Sequence, residues 1–143
     1  VKHVFPSESW IEAYRSALGA SGEYREAAST WRHGAIALAV EPAPALGLPE
    51  GFCVWLDVAE GRCHGARRVS LAEGALAPFS ITASYERWRD VLSCRLDPIA
   101  GMITRRLRLT GNLVTMIRYA RSAKAMVQCA TEVPSAFLPE RAA

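Results

Sequence analysis

Between Leu96 and Tyr119 the chain changes its hydrophobic period twice, in the run LDPIAGMITRRLRLTGNLVTMIRY. Asp97-Pro98 reads as a helix start, because the Asp carboxylate can take up free N–H groups and Pro suits the first helical position. Ile99, Met102 and Ile103 then recur at helical spacing. Arg106-Leu107-Arg108-Leu109-Thr110 alternates, which predicts a strand with one wet and one dry face. Gly111-Asn112 turns the chain and caps a second helix with apolar positions at Leu113, Met116, Ile117 and Ala120. Helix, strand and helix direct Ile99, Met102, Ile103, Leu107, Leu109, Leu113, Met116 and Ile117 toward one apolar space. Those side chains carry no polar chemistry. By periodicity alone they either fill a core or line a ligand space.

Upstream, Ser9-x-x-Glu12 reads as a capping box, followed by the helical stripe Trp10, Ile11, Tyr14, Ala17 and Leu18, which Gly19 stops. Ser21 caps a second helix with Tyr24, Ala27, Ala28 and Trp31. Ile36, Leu38 and Val40 alternate with alanines and predict a strand. A loop with three prolines follows from Glu41 to Glu50. Phe52, Val54, Leu56 and Val58 share one face of the strongest strand, and Ala59 to Arg62 reads as a tight hairpin returning along Cys63 to Val69. Phe79, Ile81 and Ala83 make a fourth strand. Ser84 caps a helix that buries Tyr85, Trp88, Val91 and Leu92. The helix opened at Asn112 is expected to run to about Cys129, and Pro134 ends any continuation.

Strands joined by short turns and segregated from helices predict an α+β fold, a five-stranded, mainly antiparallel sheet covered on one face by helices. The lone fifth strand, arriving after two helices, is expected to join by a crossover and lie parallel to a neighbour. A chain of 143 residues, half of them hydrophobic, is enough for one domain spanning 1–143.

The order of these pieces resembles the sterol carrier protein family, also called nonspecific lipid-transfer domains. The matching segments are FSITAS, SYERWRDVL, LDPIAGMI, RRLRLTGN and LVTMIRYA, with the hairpin FCVWLDVAEGRCHGARRV a looser match. The core of the resemblance spans 34–130. The N-terminal helices within 1–31 are only loosely anticipated by it. The chain ends in Glu140-Arg141-Ala142-Ala143 and lacks the peroxisomal tripeptide of some members. The resemblance implies an apolar tunnel between sheet and helices and non-covalent binding or transfer of a sterol, fatty acyl chain, isoprenoid or similar lipophile. It places Trp88 beside the eight residues named above as ligand-lining candidates. The alternative is an accessory or protein-interaction domain that supports a lipid- or quinone-pathway enzyme without carrying ligand.

Other chemistry is poorly represented. The net charge of +3 and the scarcity of aromatics among basic runs give no nucleic-acid platform. No nucleophile elbow, phosphate loop, dinucleotide fingerprint or zinc-protease motif occurs, so no catalytic residue is assigned and the chain is read as a non-enzyme. Cys53, Cys63, Cys94 and Cys129 form no Cys-x-x-Cys pair, and neither they nor His33 and His64 match a metal signature. No metal or cofactor is expected. Free thiols, no leading signal peptide and no apolar run near the ~18 residues of a membrane span predict a soluble, cytoplasmic protein. Arg106, Arg108, Arg118 and Arg121 form a basic surface suited to an acidic protein partner or an anionic membrane, or simply to solvent.

Overall fold

The computed structural model describes residues 2–138. After a short strand, β1 (His3–Phe5), Ser7 opens α1 (Glu8–Ala20) by accepting the Trp10 N–H on its hydroxyl at 3.2 Å. The cap is thus Ser7, not Ser9, and Trp10, Ile11, Tyr14 and Leu18 form the buried stripe. The helix runs past Gly19 to Ala20. Ser21 then ends α1 through its N–H to the Leu18 carbonyl and starts α2 (Gly22–Ala27) by accepting the Tyr24 N–H at 3.0 Å.

Next come β2 (Ile36–Val40), β3 (Phe52–Ala59) and β4 (Arg62–Val69). Positive φ at Glu60 (52°) and Gly61 (79°) gives the hairpin turn between β3 and β4 the hand that matches sheet twist. A one-turn helix, α3 (Leu71–Gly74), leads to β5 (Phe79–Ala83), α4 (Tyr85–Leu92), α5 (Pro98–Ile103) and β6 (Arg108–Thr110). The chain continues through α6 (Leu113–Arg118), α7 (Ala120–Glu132) and β7 (Ser135–Phe137). This is the α+β fold the pattern predicts. The sheet order is β4-β3-β2-β5-β6.

The one parallel pair within that sheet is β2 with β5, not the last strand: β6 runs antiparallel to β5. The crossover is made earlier, when the chain returns from the β4 edge through α3 to the far side of β2. The predicted strand from Arg106 shortens to Arg108–Thr110, because Leu107 turns in and donates its N–H to the Gly101 carbonyl at 3.0 Å. The long final helix is broken at Tyr119, whose hydroxyl donates to the Thr30 carbonyl at 3.0 Å and whose ring meets Trp31 edge-on at 4.9 Å. The hydrophobic pattern gives no sign of a second small sheet, β1 paired parallel with β7.

One face of the main sheet carries Ile36, Val40, Phe52, Val54, Leu56 and Ile81 into the principal core under the helices. On the other face lies a minor cluster of Ala37, Ala39, Cys53, Val69 and Ala77. Among the described residues, α3 packs there, and its Gly74 lies so close to β3 that a methyl group at that position would overlap the Cys53 sulfur.

Candidate ligand cavity

A cavity of about 60 Å³ lies between the inner face of the sheet and the helix layer. Its floor is Ile36, Leu38 and Val40 of β2, Phe52 and Val54 of β3, and Ile81 of β5. Alternation fixes this floor, since every second residue of a strand faces the same way. Trp88, Val91 and Leu92 of α4, with Ala123, Met126, Val127 and Ala130 of α7, form the cover. Phe5, Trp10 and Tyr14 close one part, and Pro98, Met102, Leu107 and Met116 close another. Leu38 is only half-buried although Ile36 and Val40 beside it are buried. The helix layer leaves the centre of the sheet incompletely covered.

The lining offers almost no unspent hydrogen-bonding capacity. Trp88 donates its ring N–H to the Ala39 carbonyl at 2.9 Å, and Trp10 donates to the Ser135 hydroxyl at 2.8 Å. The Tyr14 hydroxyl donates to the Met126 carbonyl at 3.1 Å, and burial holds its phenol well above the ordinary range, so it stays neutral. Each aromatic polar tip is satisfied by the protein itself, which leaves apolar surfaces facing the cavity. An outer groove along Cys94, Leu96, Asp97, Lys124 and Gln128 shares Val91, Pro98 and Val127 with the cavity. Those three side chains form the partition between cavity and solvent at the meeting of α4, α5 and α7.

Of the nine candidates, Trp88, Met102, Leu107 and Met116 line this cavity. Ile99 and Leu109 are half-buried and pack against the core without bordering the cavity. Ile103, Leu113 and Ile117 do not border the cavity and are 55%, 39% and 42% exposed. On α5 the inward face is Pro98, Gly101 and Met102 instead of Ile99 and Ile103. Gly101 sits so tightly against Leu107 that an added methyl would come within 2.8 Å of it. On α6 only Met116 is buried, because the helix is less than two turns long and is held at its ends: Gly111 lies against Phe79 and Pro78, and Tyr119 is tied to Thr30. The contributions of β2, β3, α1 and α7 fall outside those nine candidates. The alternations Ile36/Leu38/Val40 and Phe52/Val54 are the signal that points to the cavity floor.

The basic residues separate into two groups. Arg108 pairs with Glu41 at 2.9 Å, and Arg121 pairs with Glu23 at 2.7 Å. Arg105, Arg106 and Arg118 make no ion pair among the described residues. Among the described residues there is no cluster of three or more metal-ligating side chains, and no helix is long and apolar enough to cross a membrane.

A mainly antiparallel sheet, a helical cover on one face and an apolar cavity between them define a class of α+β proteins built around an internal apolar space. A scan of family models and a search of curated proteins found no match. Solved structures did match. A crystal structure of sterol carrier protein 2 shares 41% identity over 89% of this chain and 97% of its own, with a TM-score of 0.82. The solution structure of the Thermus thermophilus protein TT1886, described as possibly a sterol carrier protein, shares 40% identity over 95% of this chain and 93% of its own, also at 0.82. A structure described as a UbiJ-SCP2 ubiquinone synthesis protein has the same fold at 13% identity and a TM-score of 0.52. The chain belongs to the sterol carrier protein 2 family.

Proposed function

We propose that the cavity binds a single lipophilic molecule without covalent chemistry and carries it between sites of exchange. The observation that supports this most is the lining itself: apolar on all sides, with the polar tip of every lining aromatic engaged within the protein. The driving force is removal of apolar surface from water, roughly 25 cal/mol per Å². Burial of a few hundred Å² then contributes several kcal/mol before ordering costs.

The dimensions favour a flexible chain. An apolar cavity of about 150 Å³ admits benzene, and this one measures about 60 Å³. A ligand must therefore move the lining. Met102, Met116 and Met126 all border the cavity, and their unbranched thioether chains repack at low cost. A fatty acyl or isoprenoid chain can enter by successive small displacements, whereas a rigid sterol needs the full volume at once. Titration with a fluorescent polyene fatty acid, followed by displacement with acyl, isoprenoid and sterol competitors, tests this. Saturable binding with acyl or isoprenoid displacement ahead of sterol is expected. Absence of binding across the panel, with a single enzyme retained stoichiometrically from lysate, would favour the accessory role instead.

A further inference from the structure

The wall between the cavity and the outer groove differs from the rest of the lining in what holds it. Ladder hydrogen bonds fix the floor, and Trp10, Tyr14 and Trp88 are pinned by hydrogen bonds to Ser135, Met126 and Ala39. Val91, Pro98 and Val127 are held by packing, because their side chains carry no donor or acceptor. Cys94, on the α4–α5 link at the groove, is exposed and left-handed at φ 59°, where a residue with a side chain is uncommon. Beyond the wall the groove has a volume of about 230 Å³. Leu96 and the three wall residues make its apolar part, and Asp97, Lys124 and Gln128 its polar part. Spacing on α7 makes the two compartments neighbours: Ala123 and Val127 border the cavity, and Lys124 and Gln128, each one residue later, border the groove. The Lys124 ammonium makes no ion pair among the described residues. Glu23, which borders a neighbouring recess with Lys124, is engaged by Arg121 at 2.7 Å.

We propose that this groove receives the polar end of the bound lipophile, that the chain behind it passes between Val91, Pro98 and Val127, and that Lys124 selects a single carboxylate there. The inference rests on the binding reading above and deepens it by naming a ligand class, a long-chain carboxylic acid. An amphiphile with its chain in the cavity cannot bury its head there without loss, since the polar tips of the lining aromatics are already engaged. The groove matches the other half of such a molecule, apolar at the wall and polar beyond it. Asp97 narrows the choice of head. One of its oxygens caps the Ala100 N–H at 2.9 Å, and its negative charge stands in the same groove as Lys124. A carboxylate brings one charge, which the ammonium meets. A phosphate or diphosphate head brings more charge, and its repulsion from Asp97 grows with it. A neutral hydroxyl gains only an ordinary hydrogen bond, weaker than the charge-assisted one a carboxylate makes.

The test titrates the full chain with hexadecanoic acid, hexadecanol and hexadecyl phosphate, read by tryptophan emission, since Trp10 and Trp88 border the cavity. The parent chain is expected to bind the acid most tightly. K124Q should lower acid affinity about fivefold, the upper range for one exposed charge pair, and leave the alcohol unchanged. D97N keeps the helix cap, because Asn accepts the same N–H, and should strengthen hexadecyl phosphate more than the acid. R62Q removes the same charge as K124Q from β4, at the edge of the sheet and outside both cavity and groove, and should change no affinity. Lys124, Asp97 and Arg62 are all exposed, so melting temperatures should stay near the parent value. Equal losses from K124Q and R62Q would overturn the assignment, as would a K124Q loss shared by acid and alcohol, or hexadecyl phosphate binding ahead of the acid in the parent. Saturable binding of acid and alcohol that K124Q leaves untouched overturns the headgroup role and leaves the cavity reading standing. Failure of all three probes to bind overturns both.

Discussion

Met116 and Ile117 are consecutive residues with opposite surroundings: Met116 is 3% exposed and borders the cavity, and Ile117 is 42% exposed. Truncating a buried Met in a dry core costs about 2–5 kcal/mol. Met116 already lacks packing partners on its cavity side, so Met116→Ala should cost about 1–2 kcal/mol. Ile117→Ala should stay within about 0.5 kcal/mol, as surface substitutions do. Urea midpoints at unchanged slope check both. Met116→Trp should fill the cavity and weaken acyl binding more than it weakens the fold. The sequence shows both residues as apolar, and on this short helix four of the six positions are apolar. Only the anchoring at Gly111 and Tyr119 decides which one turns inward. A second residue-scale consequence concerns Cys53, whose thiol burial pushes up to about 11 from an ordinary 9.0. The folded state then keeps its proton where the unfolded state has lost it. Stability from this group is complete below pH 9 and falls as pH rises from 9 to 11. The urea midpoint should decline across that window, and Cys53→Ala should make the decline shallower.

At the scale of elements, α5 and the turn into β6 are joined through the smallest side chain in the region. Gly101 lets the helix approach Leu107, and an added methyl would lie 2.8 Å from one Leu107 carbon and 2.9 Å from another. Leu107 has the cavity on its other side. Gly101→Ala should therefore push Leu107 into the cavity instead of forcing the backbone apart. The expected cost is about 1 kcal/mol, at the low end for overpacking, with a larger fractional loss in acyl affinity. A urea series and a fatty-acid titration on the same preparation check this. The same residue explains why the inward face of α5 departs from the predicted one. Counting apolar residues selects Ile99, Met102 and Ile103, and glycine adds nothing to that count, yet Gly101 sets the closest contact. The end of α5 is equally unmarked, since Arg105 occupies the left-handed position where glycine is the usual signal. By contrast the caps at Asp97, Asn112 and Ser84 are legible in the sequence, because each acts through its own side chain: they accept N–H groups at 2.9, 2.9 and 3.2 Å.

For the molecule as a whole, the main sheet was legible where hydrophobic alternation was strong, in β2, β3 and β5. The parallel pairing of β2 with β5 was not, because it depends on where a crossover lands and no local pattern records that. Nor were β1 and β7 visible, because neither HVF nor SAF alternates as the Arg108–Thr110 strand does. These two strands nevertheless join distant parts of the chain, with His3, Val4 and Phe5 opposite Ser135, Ala136 and Phe137. Tyr85 reinforces the joint by donating its hydroxyl to the Phe5 carbonyl and accepting the Leu138 N–H at 2.9 Å. Because the strands are parallel, tension applied before His3 and after Phe137 pulls them in opposite directions along their common axis. Their hydrogen bonds then bear the load in shear, all at once. The β3–β4 hairpin pulled from Phe52 and Val69 opens from its free end, one rung at a time. Single-molecule stretching should give a higher rupture force through the terminal handles than through the hairpin handles, and Tyr85→Phe should lower only the former. A three-residue clasp thus braces the fold along the direction in which its own backbone would be drawn out.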